Sequence, residues 1–476
     1  MGTDVTPVPI GADRVTTDAS DTVVSPYDGH ALGAVPRCGR SEVDRAVREA
    51  ADAPRSNPLS TADRAAILDR AAIALTAQRD RFARFIAEES AKPIRTARVE
   101  AERAVDTFSF AAAVARSRSG EVVPLDASTS GGGKLGIVVW VPIGVVGAIT
   151  PFNFPLNLVA HKIAPAIAAG CTTVLKPAGG TPLTAIALAD MLIDECGLPP
   201  GWLNVVTGPG SAVGAALVEN DDVAMISFTG SPEVGWSIRA AAPRKRVNLE
   251  LGNNSPVIIH CDGDWLAAAG KIAVAGFSHA GQSCISTQRI IAHEDIAEPF
   301  TEALVEKVQS LVVGDPLDEA TDVSALITPG ETQRVKRWID EAVSAGAKLL
   351  TGGETDARGL LEPAVLSDTT NSMKVVCDEV FGPVVSIQRY RDFEDALALA
   401  NDTRYGLQAG VFTADLSLAL ESGRRLDFGG VIVNEVPTWR ADQMPYGGIR
   451  ESGNTREGPA YSIEEMSERR LIVFSG

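Results

Sequence analysis

Histidine and aromatic side chains are scarce in this sequence, its cysteines are never paired, and it has no long unbroken apolar run. Its 476 residues hold five histidines, and aromatics make up 5%. The six cysteines, at 38, 171, 196, 261, 284 and 377, are widely spaced and form no CxxC pair. Without HxxxH or paired-cysteine spacing no metal site is expected, and lone cysteines suit a reducing compartment. Basic residues are also few, 43 against 61 acidic ones, for a formal net charge of −18. That balance argues against a nucleic-acid partner or an anionic membrane surface. The most apolar stretch, Ile137 to Ile149, is broken by Pro142, Gly144 and Gly147 and is too short to span a bilayer. The start of the chain carries Asp4 and two early prolines instead of the basic start and apolar centre of a secretion signal. The expected location is cytoplasmic.

The remaining composition is that of a globular protein, 45% hydrophobic and 22% charged. The length exceeds what one hydrophobic core serves, so two or three domains are expected. Residues 1–40 read as an irregular arm with short strands. Ser41 to Asp44 and Ser60 to Asp63 are capping-box-like helix starts, the second helix running on towards Ser90, and another helix covers Ile94 to Ala115. Val122 to Trp140 alternates around Gly131-Gly132-Gly133, as a β-ribbon with a loose turn does.

Short apolar strands then alternate with helices. The strands are Val145–Thr150, Thr172–Lys176, Leu203–Val206 and Met225–Phe228, and the helix Thr181–Cys196 is capped by Thr181. A second α/β unit follows, with strands near Pro256–His260, Ala347–Leu350, Val384–Gln388, Ala409–Phe412 and Val431–Asn434. The pattern predicts doubly wound parallel sheets. The last stretch, Glu468 to Phe474, reads as an edge strand that pairs with another strand, in this or a partner subunit.

Chemistry concentrates around Gly281-Gln-Ser-Cys284, at the end of an Ala-rich helical segment, Trp265 to Ala280. Small neighbours leave room for a substrate to reach the sulfur, and a thiolate is a strong nucleophile when its pKa is held down. A buried, inert cysteine is the commoner fate, so the remaining motifs decide. In open parallel sheets ligands sit beyond the carboxyl ends of the strands. Three motifs fall there. Asn153, in Thr150-Pro-Phe-Asn-Phe-Pro155, either donates to a developing oxyanion or serves as a turn residue. Lys176 either reaches a ribose or phosphate or is a plain strand-end lysine. Gly230 and Ser231 open a helix whose free N–H groups suit a phosphate. Glu250, flanked by Leu249 and Leu251, is either a general base with a raised pKa or a salt-bridged strand carboxylate.

Taken together and in order, seven motifs resemble the NAD(P)-dependent aldehyde dehydrogenase superfamily. They are Pro151-Phe-Asn-Phe-Pro155, Leu175-Lys-Pro-Ala178, Phe228-Thr-Gly-Ser231, Leu249-Glu-Leu-Gly252, Gly281-Gln-Ser-Cys284, Glu379-Val-Phe-Gly-Pro383 and Pro445-Tyr-Gly-Gly-Ile-Arg-Glu-Ser-Gly453. The resemblance runs from about residue 25 to the end of the chain. It implies two doubly wound parallel-sheet domains plus a β-ribbon oligomerisation element. On that pattern 1–120 and 141–250 form the dinucleotide-binding domain, 251–434 the catalytic domain, and 121–140 with 455–476 the ribbon of a homodimer or homotetramer.

The resemblance also implies the roles. Cys284 attacks the aldehyde, Asn153 and the Cys284 backbone N–H hold the oxyanion, and Glu250 activates the hydrolytic water. Lys176 binds the adenosine ribose, Gly230 and Ser231 lie by the pyrophosphate, and Glu379 with Phe381 binds the nicotinamide-ribose end, near Thr150 and Phe152. Phe152 replaces the commoner tryptophan. Gly179 stands where NAD-preferring members carry a glutamate for the 2′-hydroxyl. The cofactor is NAD or NADP, with a lean to NADP or dual use. Arg103, His161, Arg289 and Arg450 either surround the substrate tunnel, where four cations would favour an anionic aldehyde, or are structural ion pairs. The motif ends are similar to the branch of lactaldehyde, phosphonoacetaldehyde and succinate semialdehyde dehydrogenases. Two alternatives stay open. One is acyl transfer to CoA, disfavoured because such members lack a base like Glu250; the other is a catalytically silent binding protein of the same fold.

Overall fold

The computed structural model describes residues 5–475, so Asp4 and its neighbours at the start lie outside the described residues. Two parallel sheets organise the chain. The first has five strands in the order Arg246–Glu250, Val223–Thr229, Val145–Ile149, Thr172–Lys176 and Leu203–Val205, every pair parallel. The second has seven, ordered Lys348–Thr351, Ala364–Ser367, Val384–Tyr390, Arg289–His293, Pro256–Ile259, Gln408–Phe412 and Gly430–Val433. Its first strand is the lone antiparallel edge. Near-continuous burial of the central strands explains their unbroken Val/Ile runs, since helices cover both faces of such sheets.

Apolar residues from 8 to 251, with Ile463, pack around the first sheet, and those from 257 to 436 pack around the second. A three-stranded antiparallel sheet of Ser467–Ser475, Lys134–Pro142 and Glu121–Val123 stands apart from both. Within 455–476 only Ser467–Ser475 is strand; Pro459–Glu465 is a helix. Among the described residues no helix is long and apolar enough to cross a membrane.

Several local expectations change. The helix starting at Ser60 is capped as its sequence predicts, with Asp63 N–H donating to Ser60 Oγ at 3.2 Å and Ser60 N–H to the Asp63 carboxylate at 2.9 Å. It stops at Ala77, and Gln78 (φ −107°, ψ 16°) separates it from Arg79–Ser90. The earlier helix begins at Arg40, capped by Gly39, because the Glu42 carboxylate takes the Gly39 N–H at 2.6 Å. Thr181 precedes its helix without capping it; the buried Glu89 carboxylate accepts the Leu183 and Thr184 N–H groups instead.

The segment expected to be helical from Trp265 to Ala280 ends as an α-helix at Ala275. His279 and Ala280 then turn into the left-handed region (φ 51° and 54°), which swings Gln282–Cys284 out of the helical path. Three strands escaped the sequence reading: Arg246–Glu250, Arg289–His293 and Ala364–Ser367.

Candidate active site

Asn153, Lys176, Gly230, Ser231 and Glu250 all lie at or just beyond carboxyl ends of the first sheet. Cys284 arrives from the other side, on the loop before the Arg289–His293 strand of the second sheet. Between them is a cleft of about 570 Å³, lined by Phe152, Asn153, Gly230, Ser231, Cys284, Glu379 and Phe381 among others. A wider groove of about 680 Å³ lies elsewhere, beside Tyr390 and Glu294, and holds no nucleophile. Seven of the predicted residues therefore share one cavity, although hundreds of positions separate some of them.

Cys284 is half-buried, and its Sγ is 2.8 Å from the hydroxyl of Tyr446. Burial pushes the thiol up to about 12, against the pull of the Tyr446 hydrogen bond and the Arg440 guanidinium. A sulfur so placed rests as a thiol at neutral pH, and would need a base in order to act as a nucleophile. Asn153, 3% exposed, donates one Nδ2 hydrogen to the Gln282 carbonyl at 2.9 Å, which ties the amide to the nucleophile loop. Its second N–H is left for another acceptor.

Glu250 is buried and does not line the main cleft. Neither carboxyl oxygen has a partner. Burial, with Glu457 as a second cause, raises its pKa well above the ordinary value. Gly447 is close enough that a Cβ there would stand 2.6 Å from Glu250 Oε1, so this position takes no side chain. Glu379 accepts the Asn253 N–H at 2.9 Å, and burial lifts it to about 7. Phe381 (φ 46°) meets Phe152 edge-on at 5.8 Å.

The groups facing a cofactor have donors to spare. Lys176 is buried, and among the described residues its ammonium reaches only the Pro177 carbonyl, at 3.3 Å. The buried hydroxyls of Thr150 and Thr229 have no partner. Ser231 caps the Pro232–Ala241 helix at the cleft wall. Gly179 borders a separate hollow of about 160 Å³, and a Cβ there would meet nothing within 4 Å. Unmet donors along the strand ends fit a polyhydroxylated, phosphorylated ligand.

The four predicted substrate cations are not in the cleft. Arg289 begins a central strand, is fully buried, and donates from Nε to the Asn254 carbonyl at 2.9 Å, from Nη1 to Leu399 at 3.0 Å and from Nη2 to Ala400 at 2.8 Å. Arg450 is spent on the carbonyls of Asn401, Thr403 and Asp427. Arg103 makes a two-pronged bridge to Asp442 at 3.0 and 2.9 Å. His161 is buried against Asp442 at 2.8 Å, and burial with the nearby Arg440 lowers its pKa, so it carries no charge at neutral pH.

Arg334 and Arg404 line the cleft wall, and a further cation that spacing did not reveal, Arg440, lies behind the nucleophile's neighbour Tyr446. Its guanidinium lies 3.7 Å over the Tyr446 ring and pairs with Glu457 at 3.3 Å. Its Nε is buried without a partner. Glu457 also takes Lys162 at 3.2 Å, and these two cations overcome burial to hold Glu457 at about 2. The one available signal was the quoted Pro445-Tyr-Gly-Gly motif, which lies just beyond Arg440 and contributes Tyr446.

Comparison with known proteins agrees with this arrangement. The pattern of the Aldehyde dehydrogenase family matches residues 15–472. The chain is 45% identical over 460 residues to the 3-sulfolactaldehyde dehydrogenase of Priestia aryabhattai, covering 97% of this chain and 96% of that one. Its fold superposes on aldehyde dehydrogenase 21 of Physcomitrella patens, solved with its reaction product succinate, at a TM-score of 0.95 and 36% identity, over 100% of this chain and 99% of the other. The glyceraldehyde-3-phosphate dehydrogenase of Methanocaldococcus jannaschii, solved with NADP, matches at 0.92 and 38% identity, over 97% and 100%. With that agreement along nearly its whole length, the chain belongs to the aldehyde dehydrogenase family, as an oxidoreductase that acts on aldehydes with NAD or NADP.

Proposed function

We propose that the chain oxidises a small aldehyde bearing an anionic group to its carboxylic acid, through a covalent bond to Cys284. The observation that carries the anionic preference is Arg440, whose buried Nε has no partner while its guanidinium covers the tyrosine that touches the nucleophile. A desolvated guanidinium with an unmet N–H is a specific donor to a carboxylate or sulfonate. Glu457 neutralises part of its charge, which keeps the site tolerable before substrate enters. The 3-sulfolactaldehyde named for one relative and the succinate bound by another are both anions, which supports the same reading.

In this scheme the Cys284 proton passes to Glu250 as Sγ bonds the carbonyl carbon. The oxygen becomes an oxyanion, held by the free Asn153 N–H and the Cys284 backbone N–H. Bound NAD or NADP supplies the hydride acceptor. Collapse of the thiohemiacetal gives a thioester on Cys284. Glu250, having returned its proton to solvent, takes another from the water that hydrolyses this thioester, releasing acid and thiol. Lys176 is assigned to the ribose, Gly230 and Ser231 to the pyrophosphate, and Glu379 and Phe381 to the other ribose, with 1–120 and 141–250 as the cofactor unit and 251–434 as the catalytic one. The open space at Gly179 favours NADP or dual use. Subunit pairing is assigned to the ribbon, whose Leu471 and Phe474 are exposed.

The test is Arg440→Gln against a panel of carboxylate-bearing, sulfonate-bearing and neutral aldehydes. KM for the anionic aldehydes should rise roughly 10- to 100-fold, the worth of a charge-assisted hydrogen bond, while propanal changes little. Equal changes for charged and neutral aldehydes would dispose of the anion preference.

A further inference from the structure

At the opposite end of the second sheet from Cys284, three parallel strands finish side by side. The register sets Ile259 beside Ala292 and His293 beside Tyr390, so His260 comes out next to His293. Cys261 follows at once. One ring nitrogen from each histidine and the Cys261 Sγ lie within 4.8 Å of one another. His260 Nε2 is 3.7 Å from that sulfur. Chain spacing hid this group, because 32 positions of strand, helix and loop separate the histidines; only the adjacency of two parallel strands joins them.

The surroundings favour ligation over a chance meeting. The Tyr390 hydroxyl donates to the Ile259 carbonyl at 3.4 Å, which leaves its lone pair to accept His260 Nδ1–H at 2.8 Å. That bond fixes the tautomer with Nε2 bare and aimed at the sulfur. The Tyr390 ring lies nearly parallel to His260, at 19°, and edge-on to His293, so both imidazoles are braced by one side chain. Asp262, the nearest carboxylate along the chain, is engaged by Thr413 at 2.9 and 3.1 Å and is not needed as a ligand. His293 is 12% exposed and Cys261 is exposed, so an ion has a path in.

We infer that His260, Cys261 and His293 form a binding site for a borderline-soft divalent metal ion of the Zn²⁺ class, with water in the fourth position. Tetrahedral ligands at zinc distances stand roughly 3.3–3.8 Å apart, so the three need to close by about 1.5 Å at most. Two imidazoles and a thiolate select this class over Mg²⁺ or Ca²⁺, which take oxygen. On binding, Cys261 gives its thiol proton to solvent. His293, whose Nδ1 accepts the Asp295 N–H at 3.2 Å, moves its proton from Nε2 to Nδ1, where the Asp295 carboxylate is 3.6 Å away. The ion would pin two adjacent strand ends and, sitting a full strand away from the nucleophile loop, would leave the chemistry at Cys284 alone.

The probe is Co²⁺, titrated into the full chain carrying Cys284→Ser so that the nucleophile cannot bind it. One equivalent should produce a near-ultraviolet thiolate-to-cobalt band with tetrahedral visible bands, and Zn²⁺ should abolish both by displacement. Adding Cys261→Ser should remove the near-ultraviolet band. Tyr390→Phe, which touches no ligand atom but frees the His260 ring, should weaken Co²⁺ binding roughly tenfold or more. No band in the Cys284→Ser chain, or a band that survives Cys261→Ser, would overturn the site. So would an affinity that Tyr390→Phe leaves unchanged. His293→Ala serves as an added check, and because His293 also caps a helix, the Cys261 and Tyr390 variants carry the decision if it fails to fold.

Discussion

Asp442 and Glu250 are carboxylates at the same depth, each 3% exposed, in opposite surroundings. Asp442 accepts two hydrogen bonds from Arg103, one from Asn157 and one from His161. Burial works to raise its pKa, and those partners overcome it and hold the carboxyl far below the usual range. Glu250 has no partner on either oxygen, and burial beside Glu457 carries it the other way. A saturated buried carboxylate braces the helices that meet on it. An orphaned one lowers stability and is found where a proton has to move. The arginine, histidine and asparagine around Asp442 are therefore assigned to framework, and the tyrosine, arginine and carboxyl near Cys284 to the proposed chemistry.

The largest expected effect tests the orphan. Glu250→Gln should slow acyl-enzyme hydrolysis by roughly 10²–10⁴-fold, the usual worth of a general base, with little loss of fold stability. Stopped-flow absorbance should then show a burst of NAD(P)H followed by a slow steady rate. The sign of the pH effect follows from the raised pKa. At low pH the carboxyl holds its proton and cannot take another, so the wild-type steady rate climbs as pH rises through that pKa. In Glu250→Gln this limb should be absent; if it persists, another group is the base.

Asp442→Asn should do the reverse, costing about 3 kcal/mol in urea unfolding because Arg103 loses its counter-charge and His161 its charged acceptor, while the burst behaviour stays normal. Arg103 keeps some solvent, which places the value at the lower end for a buried pair. Its pH dependence also has a fixed sign. A carboxyl whose folded pKa is depressed contributes stability above its unfolded value, near 3.8, and loses it as pH falls towards the folded one. Wild-type stability should therefore fall below about pH 4 more steeply than that of Asp442→Asn. If the variant is as stable as wild type but inactive, the division between brace and chemistry fails.

The contrast also marks what the sequence could and could not reveal. Residues at strand ends were readable, because a parallel sheet puts its ligands there whatever lies between; Asn153, Gly230 and Cys284 share a cleft for that reason. Polarity of a side chain was readable, its partners were not. Arg289 sits five residues from the nucleophile, yet the chain enters a central strand between them and carries the guanidinium to carbonyls inside the sheet. Arg440, far along the chain, is the cation that packs on Tyr446 beside Cys284. The His260–His293 neighbourhood was invisible for the same reason, since strand adjacency is a property of the sheet. Arg289→Ala sharpens the point. It should lower stability by about 3 kcal/mol, by stranding three buried carbonyls, and leave the ratio of KM values for anionic and neutral aldehydes unchanged. A selective rise for the anion would return Arg289 to the substrate.

The smallest effect concerns Gly179, where the environment is neither saturated nor orphaned but empty. A side chain there meets nothing within 4 Å, and the backbone lies outside the left-handed region, so Gly179→Glu should fold without strain. Its carboxylate would add a negative charge near the position assigned to the ribose 2′-oxygen. A 2′-phosphate would be repelled, whereas a 2′-hydroxyl would gain an acceptor. The kcat/KM ratio for NADP over NAD should fall roughly tenfold or more, since like charges brought together at a binding site cost more than one hydrogen bond returns. Neither kcat with saturating cofactor nor KM for the aldehyde should move, because Cys284, Glu250 and Arg440 belong to a different part of the molecule. A ratio that stays put would mean the adenosine ribose lies away from residue 179, and the assignment of Lys176 to that ribose would have to be given up with it.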